Sequence, residues 1–493
     1  MTMNSERSRW VALAVLCTGM LMIVLDVTVV NVALPAIQTD LGFTQSSLAW
    51  VVNAYLIAFG GLLLLAGRLG DLLSRRGVFL AGLTVFVLAS AACGLAGSQE
   101  VLIAARFVQG VGGAMTSAVI LGVIVTMFPE PRERARAIGF YSFVASAGGS
   151  IGLLAGGVLT QGINWHWIFF VNVPIGLATG VAAMRLLPRD RGLGLRGGAD
   201  LPGAVLITAA LMLGVYTIVQ PAAELGWGSA QTLSLLAVSA ALLALFVLRE
   251  ARARRPLVPL RVFRSANVSG ANAVQALTVA GMFGMFFLGV LYLQRVLGYD
   301  ALGTGLAFLP QSIVMGALSL RYSERLVTRF GAKSTLLGGL VLIALGLALF
   351  ARVPAGGSYL VDVLPATLLL GVGIGGGFPA LAALAMSGAT RDDAGLASGL
   401  VNTTAQVGAA LGLAVLATLS ATRTGQLAAE GRPEVEALIG GFQLAFLVGA
   451  ALVAVSFVIA LTVIRPERRD AAQDEGAHDI HEAHDDLPIA VGI

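Results

Sequence analysis

Charged residues are scarce in this 493-residue chain, where Asp, Glu, Lys and Arg make up 12% against about 25% in soluble domains. A surface so poor in charge is not built for water, which excludes a soluble enzyme. Lysine is nearly missing, since Lys333 is the one Lys among 31 basic residues. No GxxxxGK[ST] loop occurs, so ATP-driven transport by this chain alone is disfavoured, and no cofactor is expected. The two cysteines, Cys17 and Cys93, both lie in apolar runs; that excludes a disulfide framework and a thiolate metal site. The net charge of +4 gives no reason to expect nucleic acid. Hydrophobic residues, by contrast, make up 57%, and the 62 glycines are about twice the usual share. Glycine at that level without a collagen period points to closely crossing membrane helices.

A hydrocarbon core about 30 Å thick needs roughly 20 apolar residues per helix. Fourteen stretches meet or approach that length: 11 to 37, 47 to 67, 78 to 97, 101 to 127, 135 to 159, 167 to 187, 201 to 221, 231 to 248, 267 to 291, 303 to 320, 334 to 351, 361 to 386, 395 to 419 and 440 to 464. They do not alternate as barrel strands would. The first is too long, and too acidic at Asp26, for a cleaved signal peptide. Threading the chain with its N-terminus in the cytoplasm puts 26 of the 31 basic residues on the inner side, as the positive-inside rule requires. The expected fold is therefore an all-α integral membrane protein of 14 transmembrane helices with both termini cytoplasmic.

Weak internal symmetry divides the chain further. Arg68 to Arg76 aligns with Arg325 to Lys333, each a short inner loop after the second helix of a six-helix repeat. This gives an N-terminal bundle at 1–187, two inserted helices and a linker at 188–266, and a C-terminal bundle at 267–464. The remainder, 465–493, is acidic, carries His478, His481 and His484, and reads as a solvated cytoplasmic tail, with no metal site assigned.

An ionised side chain at the bilayer centre costs at least ~2.5 to 3.5 kcal/mol. Asp26 and Arg106 are the two charges that the apolar stretches carry away from their ends. At 1.5 Å per residue Asp26 lies roughly 24 Å from the inner boundary and Arg106 roughly 7 Å from the outer one, so they share a depth. Burial favours a neutral acid and a nearby Arg favours a carboxylate, so the pair suits a proton site; a static ion pair is the other reading. Thr18 and Met22 share a face with Asp26, whereas Asn31 points about 140° away to a different contact. Arg106, Gln109, Gly110 and Gly113 line one face of their helix, with Gln109 placed to orient the guanidinium.

Other side chains offer a cavity or a seam. Gly148, Gly152 and Gly156, with Gly149 and Gly157 beside them, permit a close helix crossing, which is either plain packing or a seal between the bundles. Ser398, Asn402 and Gln406 form a polar stripe, and Met282, Met285, Phe286 and Phe287 form a greasy one; each lines a cavity or serves ordinary packing. His166, between Trp165 and Trp167, is expected to pack or cap.

These residues resemble the major facilitator superfamily, and within it the fourteen-helix drug:proton antiporters of bacteria. The run from Leu25 to Pro35 is similar to that subfamily's helix 1 signature, and Arg106, Gln109 and Gly110 match its helix 4 proton-coupling motif. Gly67 to Arg76 resembles the gating motif GxLxDRxGRR, with Leu72 and Ser74 departing from it, so gating rests on Gly67, Asp71, Arg75 and Arg76. Asn164 to Gly176 and Tyr292 to Gln294 strengthen the likeness. The antiporter motif GPxxGG reads Gly152-Leu153-Leu154-Ala155-Gly156-Gly157; without its proline no kink is forced.

The resemblance implies proton-driven export of amphipathic drugs or antibiotics across the bacterial cytoplasmic membrane, by a monomer among lipids. Met22, Asn31, Gln109, Met282, Phe286, Asn402 and Gln406 are the candidate cavity residues. Two other functions stay open on the residues alone: a proton symporter or facilitator importing a nutrient or siderophore, and a transporter-like receptor or scaffold.

Overall fold

The computed structural model describes residues 6–44, 46–190, 192, 200–253, 256–258, 260–387 and 394–465. Within these, the side chains at 6, 64, 71, 131, 132, 134, 135, 138, 139, 142, 143, 145–147, 150, 223, 320, 386, 387 and 394–399 are left aside. The chain is a bundle of long helices: α1 (Glu6–Leu41), α2 (Trp50–Leu72), α3 (Arg75–Gly94), α4 (Gln99–Met127), α5 (Pro131–Gly162), α6 (Asn172–Leu186), α7 (Leu201–Val219), α8 (Ala230–Arg252), α9 (Ala266–Leu291), α10 (Ala301–Ala317), α11 (Ala332–Phe350), α12 (Leu364–Ser387), α13 (Ala394–Ala429) and α14 (Glu434–Thr462). Six of these helices start at a side-chain cap. Ser74, Ser98, Asp200, Ser229, Ser265 and Asp300 each accept the N–H three residues on, satisfying a donor that the helix itself leaves free.

Among the described residues eleven helices are long and apolar enough to cross a membrane, and shorter apolar segments occupy Ser47–Leu63, Ile151–Gly162 and Ala301–Ala317. α5 runs unbroken through the position where the motif proline is missing, as expected when no ring removes a backbone hydrogen bond. Asn267 at the start of α9 bonds Arg465 beyond α14, and Arg9 on α1 pairs with Glu133 on α5. These contacts mark the terminal face, from which the chain first enters the bundle; the opposite end is the far face.

α1 to α6 and α9 to α14 meet at the far face. Gln294 Nε2 donates to Val32 O at 3.1 Å, Arg295 Nη2 to Gln38 Oε1 at 2.6 Å, and Gln161 Nε2 to Asp300 Oδ2 at 2.7 Å. A π-helical turn, Tyr292–Val296, carries Gln294 and Arg295 toward α1. α7 packs against both sides of the seam: Thr208 abuts Gly61 of α2, and Thr418 of α13 donates to Ile218 O. α8 lies outside α7, and most of its apolar side chains are exposed.

The repeated loops occupy corresponding joints. Arg68 to Arg76 spans the α2 to α3 turn, and Arg325 to Lys333 spans a short helix, Ser323–Phe330, and the start of α11. The first joint is capped by Ser74; the second turns at Gly331, whose φ of +83° suits glycine.

Candidate functional site

Asp26 of α1 and Arg106 of α4 are both 1% exposed and lie in contact, with Nη1 2.5 Å from Oδ2. Gln109 Nε2 donates to the other oxygen, Oδ1, at 2.7 Å, and Asn172 Nδ2 of α6 donates to it at 3.1 Å. Ser90 of α3 holds both amides, accepting from Gln109 at 2.6 Å and from Asn172 at 3.3 Å. Arg106 is fixed in turn by Nε donating to Val51 O of α2 at 2.9 Å and by Nη1 donating to Gln109 Oε1 at 2.6 Å. Its guanidinium carbon sits 4.5 Å from the Tyr55 ring centroid and 5.7 Å from that of Phe169, which adds cation–π attraction. Five helices of one half thus converge on one carboxylate.

The electrostatics follow from the donor count. Each carboxylate oxygen accepts charge-assisted or amide hydrogen bonds, so the charged form is well solvated by protein. Removing one member of such a buried pair leaves the other uncompensated, at roughly 3–5 kcal/mol. A proton on Asp26 would replace an acceptor by a donor and oppose Arg106, so one proton alters contacts on α1, α3, α4 and α6 together. At 1% exposed, Asp26 is shut off from solvent by the side chains of its own half.

Glycines bring α5 against α1. A methyl on Gly148 would meet Leu21 and Val24, one on Gly152 would strike Thr28, and one on Gly156 would meet Val29 O at 2.9 Å. Gly157 faces the other half instead, where a methyl would meet Leu302 Cα at 2.7 Å and Ala301 O at 2.8 Å. Gly305 of α10 returns the contact onto Leu153 O, at the position of the missing proline. The stripe therefore serves two seams.

At the α2 to α3 joint, Arg75 Nη1 donates to Gly122 O and Thr126 Oγ1 of α4 at 3.1 and 2.9 Å, and Arg76 donates to Met184 O of α6. Both arginines tie helix ends within one half. Gly67 sits near Ala118 of α4, and the Asp71 side chain lies outside the described residues. An acid that the sequence reading passed over completes this joint. Asp190, in the segment after α6, accepts from Ser74 Oγ at 2.6 Å and from the N–H groups of Arg75 and Arg76 at 2.6 and 3.3 Å. Burial opposes its charge, but these hydrogen bonds outweigh it and hold its carboxyl below the usual range.

The candidate cavity residues fall in different places. Met22 is buried against Gly176, and Asn31, nearly buried, donates to Val27 O. Gln109 belongs to the Asp26 network. Met282 is buried, while half-buried Phe286 lies 5.9 Å from the Phe308 ring. Gln406 packs on Gly60 of α2, one helix turn from exposed Asn402. The side chain of Ser398 and the tail histidines lie outside the described residues. His166 stacks on Trp165 at 3.8 Å between ring centroids and contacts Gly94 O, a packing role.

The Major Facilitator Superfamily family model matches residues 16–413. The chain belongs to that superfamily. It is 40% identical to the cephamycin export protein CmcT of Amycolatopsis lactamdurans over 92% of this chain and 91% of that one. It is 38% identical to the puromycin resistance protein pur8 of Streptomyces alboniger, over 95% and 94%. Identity to the multidrug resistance protein Stp of Mycobacterium tuberculosis is 35%, over 84% and 76%. Of the solved structures, a bacterial homolog of the human lysosomal transporter Spinster, inward-facing and unoccupied, superposes with a TM-score of 0.67 at 17% identity, covering 93% of this chain and 98% of that one. The nucleoside transporter NupG follows the same fold, with a TM-score of 0.64 at 14% identity, over 92% and 100%. The protein is a multi-pass transporter of the bacterial cytoplasmic membrane, among the resistance exporters of its superfamily.

Proposed function

We propose that this protein exports amphipathic antibiotics in exchange for protons by alternating access. The observation that carries this reading is the buried carboxylate Asp26, held by Arg106, Gln109 and Asn172 in a site where one proton changes every contact. All fourteen long helices cross the membrane and the terminal face is cytoplasmic, supported by the basic residues that gather there. Residues 1–187 and 267–464 are the two moving bundles, and 188–266 is the inserted pair with its linker.

Helix α1 links the proton to the seal. It carries Asp26 in mid-helix, Thr28 and Val29 against the α5 glycines, and Val32 and Gln38 at the far-face hydrogen bonds. Protonation frees Arg106 from its closest partner, lets α1 shift against α4, and weakens the seal that Gln294 and Arg295 make. Substrate then leaves at the far side as the proton enters. On return, Asp26 gives its proton to the cytoplasm and Arg106 closes on it again. Gly67, Asp71, Arg75 and Arg76 steady the cytoplasmic ends of α2, α3, α4 and α6 during this exchange. The substrate lies between the bundles near Phe286, Asn402 and Gln406, as a monocation or a neutral amphipath, and the carrier works as a monomer.

The test uses inverted vesicles with a preformed proton gradient. Addition of a lipophilic monocation should discharge the gradient when the protein is present. A gradient that stays intact with every substrate the cells resist would overturn antiport.

A further inference from the structure

Among the described residues four charged side chains are fully buried, and two of them, Asp200 and Glu250, are not in the Asp26 site. They are 5% and 3% exposed, at the cytoplasmic ends of α7 and α8. Asp200 Oδ1 accepts from Gly203 N at 3.0 Å and from Arg249 Nε at 2.6 Å, while Glu250 Oε2 accepts from Val258 N at 2.7 Å. Their other oxygens, Asp200 Oδ2 and Glu250 Oε1, have no donor. Both lie over Gly203, where a methyl would meet them at 2.8 and 2.9 Å, and the two carboxyl groups are in hydrogen-bonding reach of each other. Two carboxylates in contact cannot both stay ionised at low cost, and neither can donate to the other without a proton.

We propose that Asp200 and Glu250 jointly bind one exchangeable proton, forming a second protonation site that clasps the linker to the inserted helices. One proton supplies the donor that both orphaned oxygens lack and leaves the pair with a single negative charge, which Arg249 balances. Among the described residues Arg249 is the cation bonded to the pair, and Arg252, Arg261 and Arg264 are exposed. The linker brings main-chain N–H groups, and α2, α9 and α13 bring Leu65, Val268 and Leu400, which pack with Leu257, Val258 and Val262. The Glu250 bond to Val258 therefore fixes a segment wedged between the two bundles at the cytoplasmic seam. Loss of the shared proton sets like charges against each other, drives Glu250 off Val258 and frees that wedge. Cytoplasmic alkalinity would in this way loosen the inner seam independently of Asp26.

Infrared difference spectra of the full-length protein in lipid, taken across a pH titration, test the site. A protonated carboxyl band that titrates in the wild type should vanish in Glu250→Gln and in Asp200→Asn and persist in Asp26→Asn. Hydrogen exchange of the linker, corrected for intrinsic rate, should show protection at Val258 falling about tenfold above the titration in the wild type. In Glu250→Gln, whose amide donates permanently to Asp200, protection should be independent of pH. Spectra of the Asp200 and Glu250 variants identical to wild type, or a linker whose protection ignores pH in the wild type, would overturn the proposal.

Discussion

The first six helices and the last six divide the chemistry. In α1 to α6 a buried carboxylate and a buried guanidinium meet at 2.5 Å. In α9 to α14 the buried polar side chains among the described residues are all neutral: Asn272, Gln275, Thr278, Thr304, Gln311, Thr367, Thr418, Ser420 and Ser456. Asn272 donates to Val268 O on its own helix and accepts from Thr404 Oγ1 of α13. The fourth helix of each half sharpens the contrast, with Arg106 and Gln109 on α4 and the run of Gly371, Gly373, Gly375, Gly376 and Gly377 on α12. A charge pair tolerates few geometries, whereas glycine-rich contacts allow small sliding of helices. The first half is suited to hold one proton, and the second to adjust around many shapes.

The largest effect is expected from Asp26→Asn, which keeps shape but cannot cycle a proton. Drug-coupled proton flux in proteoliposomes should drop to the level of empty vesicles, with the protein still folded. Arg106→Lys should come next, losing coupling at least about tenfold, because an ammonium cannot reproduce the bonds to Asp26, Gln109 and Val51 together. Wild-type coupling in that variant would reduce the site to a point charge. Asn172→Ala removes one hydrogen bond to the carboxylate, worth about 1.5–3 kcal/mol, and should shift the pH profile of transport while leaving drug binding in place. On the other side of the comparison, Asn272→Ala should alter which drugs are exported by no more than a few fold and leave coupling unchanged; loss of coupling there would erase the division between the halves.

Gly157→Ala against Gly149→Ala separates the seam from the stripe. The first presses on the α10 backbone and should open the far face, read as a longer spin-label distance across Gln161 and Asp300; the second meets nothing within 4 Å and should leave it unchanged. The smallest effect concerns Asp190. Its folded-state carboxyl is held below the usual range, so its support of the joint is complete above the ordinary Asp range and fades only as pH falls through the lowered value. Asp190→Ala should raise hydrogen exchange at Arg75 and Arg76 at neutral pH and make no difference in strong acid.

The parts legible in the sequence are those where physics leaves few choices. A charge in an apolar run is costly, so Asp26 and Arg106 stand out, and helical spacing put Gln109 beside Arg106. Four-residue spacing likewise exposed the glycines of α5, although it did not show that Gly157 turns to the other half. Ser90 gives no such signal, since a lone serine in a helix is common, and Asn172 was visible only as part of a motif. Acids in loops and at helix ends carry no sign of their partners in a sequence; Asp190, Asp200 and Glu250 are engaged with caps, turns and the linker, which depends on how distant segments fold back. Glu224, by contrast, is exposed near the far face.

Proton release on drug binding tests the central claim most directly. In a weakly buffered detergent solution, a pH-indicator dye would follow protons released when saturating drug is added to the purified protein. Release by the wild type, absent from Asp26→Asn and preserved in Asn272→Ala, is the result expected if drug binding drives the proton off Asp26. Equal release from wild type and Asp26→Asn would contradict it.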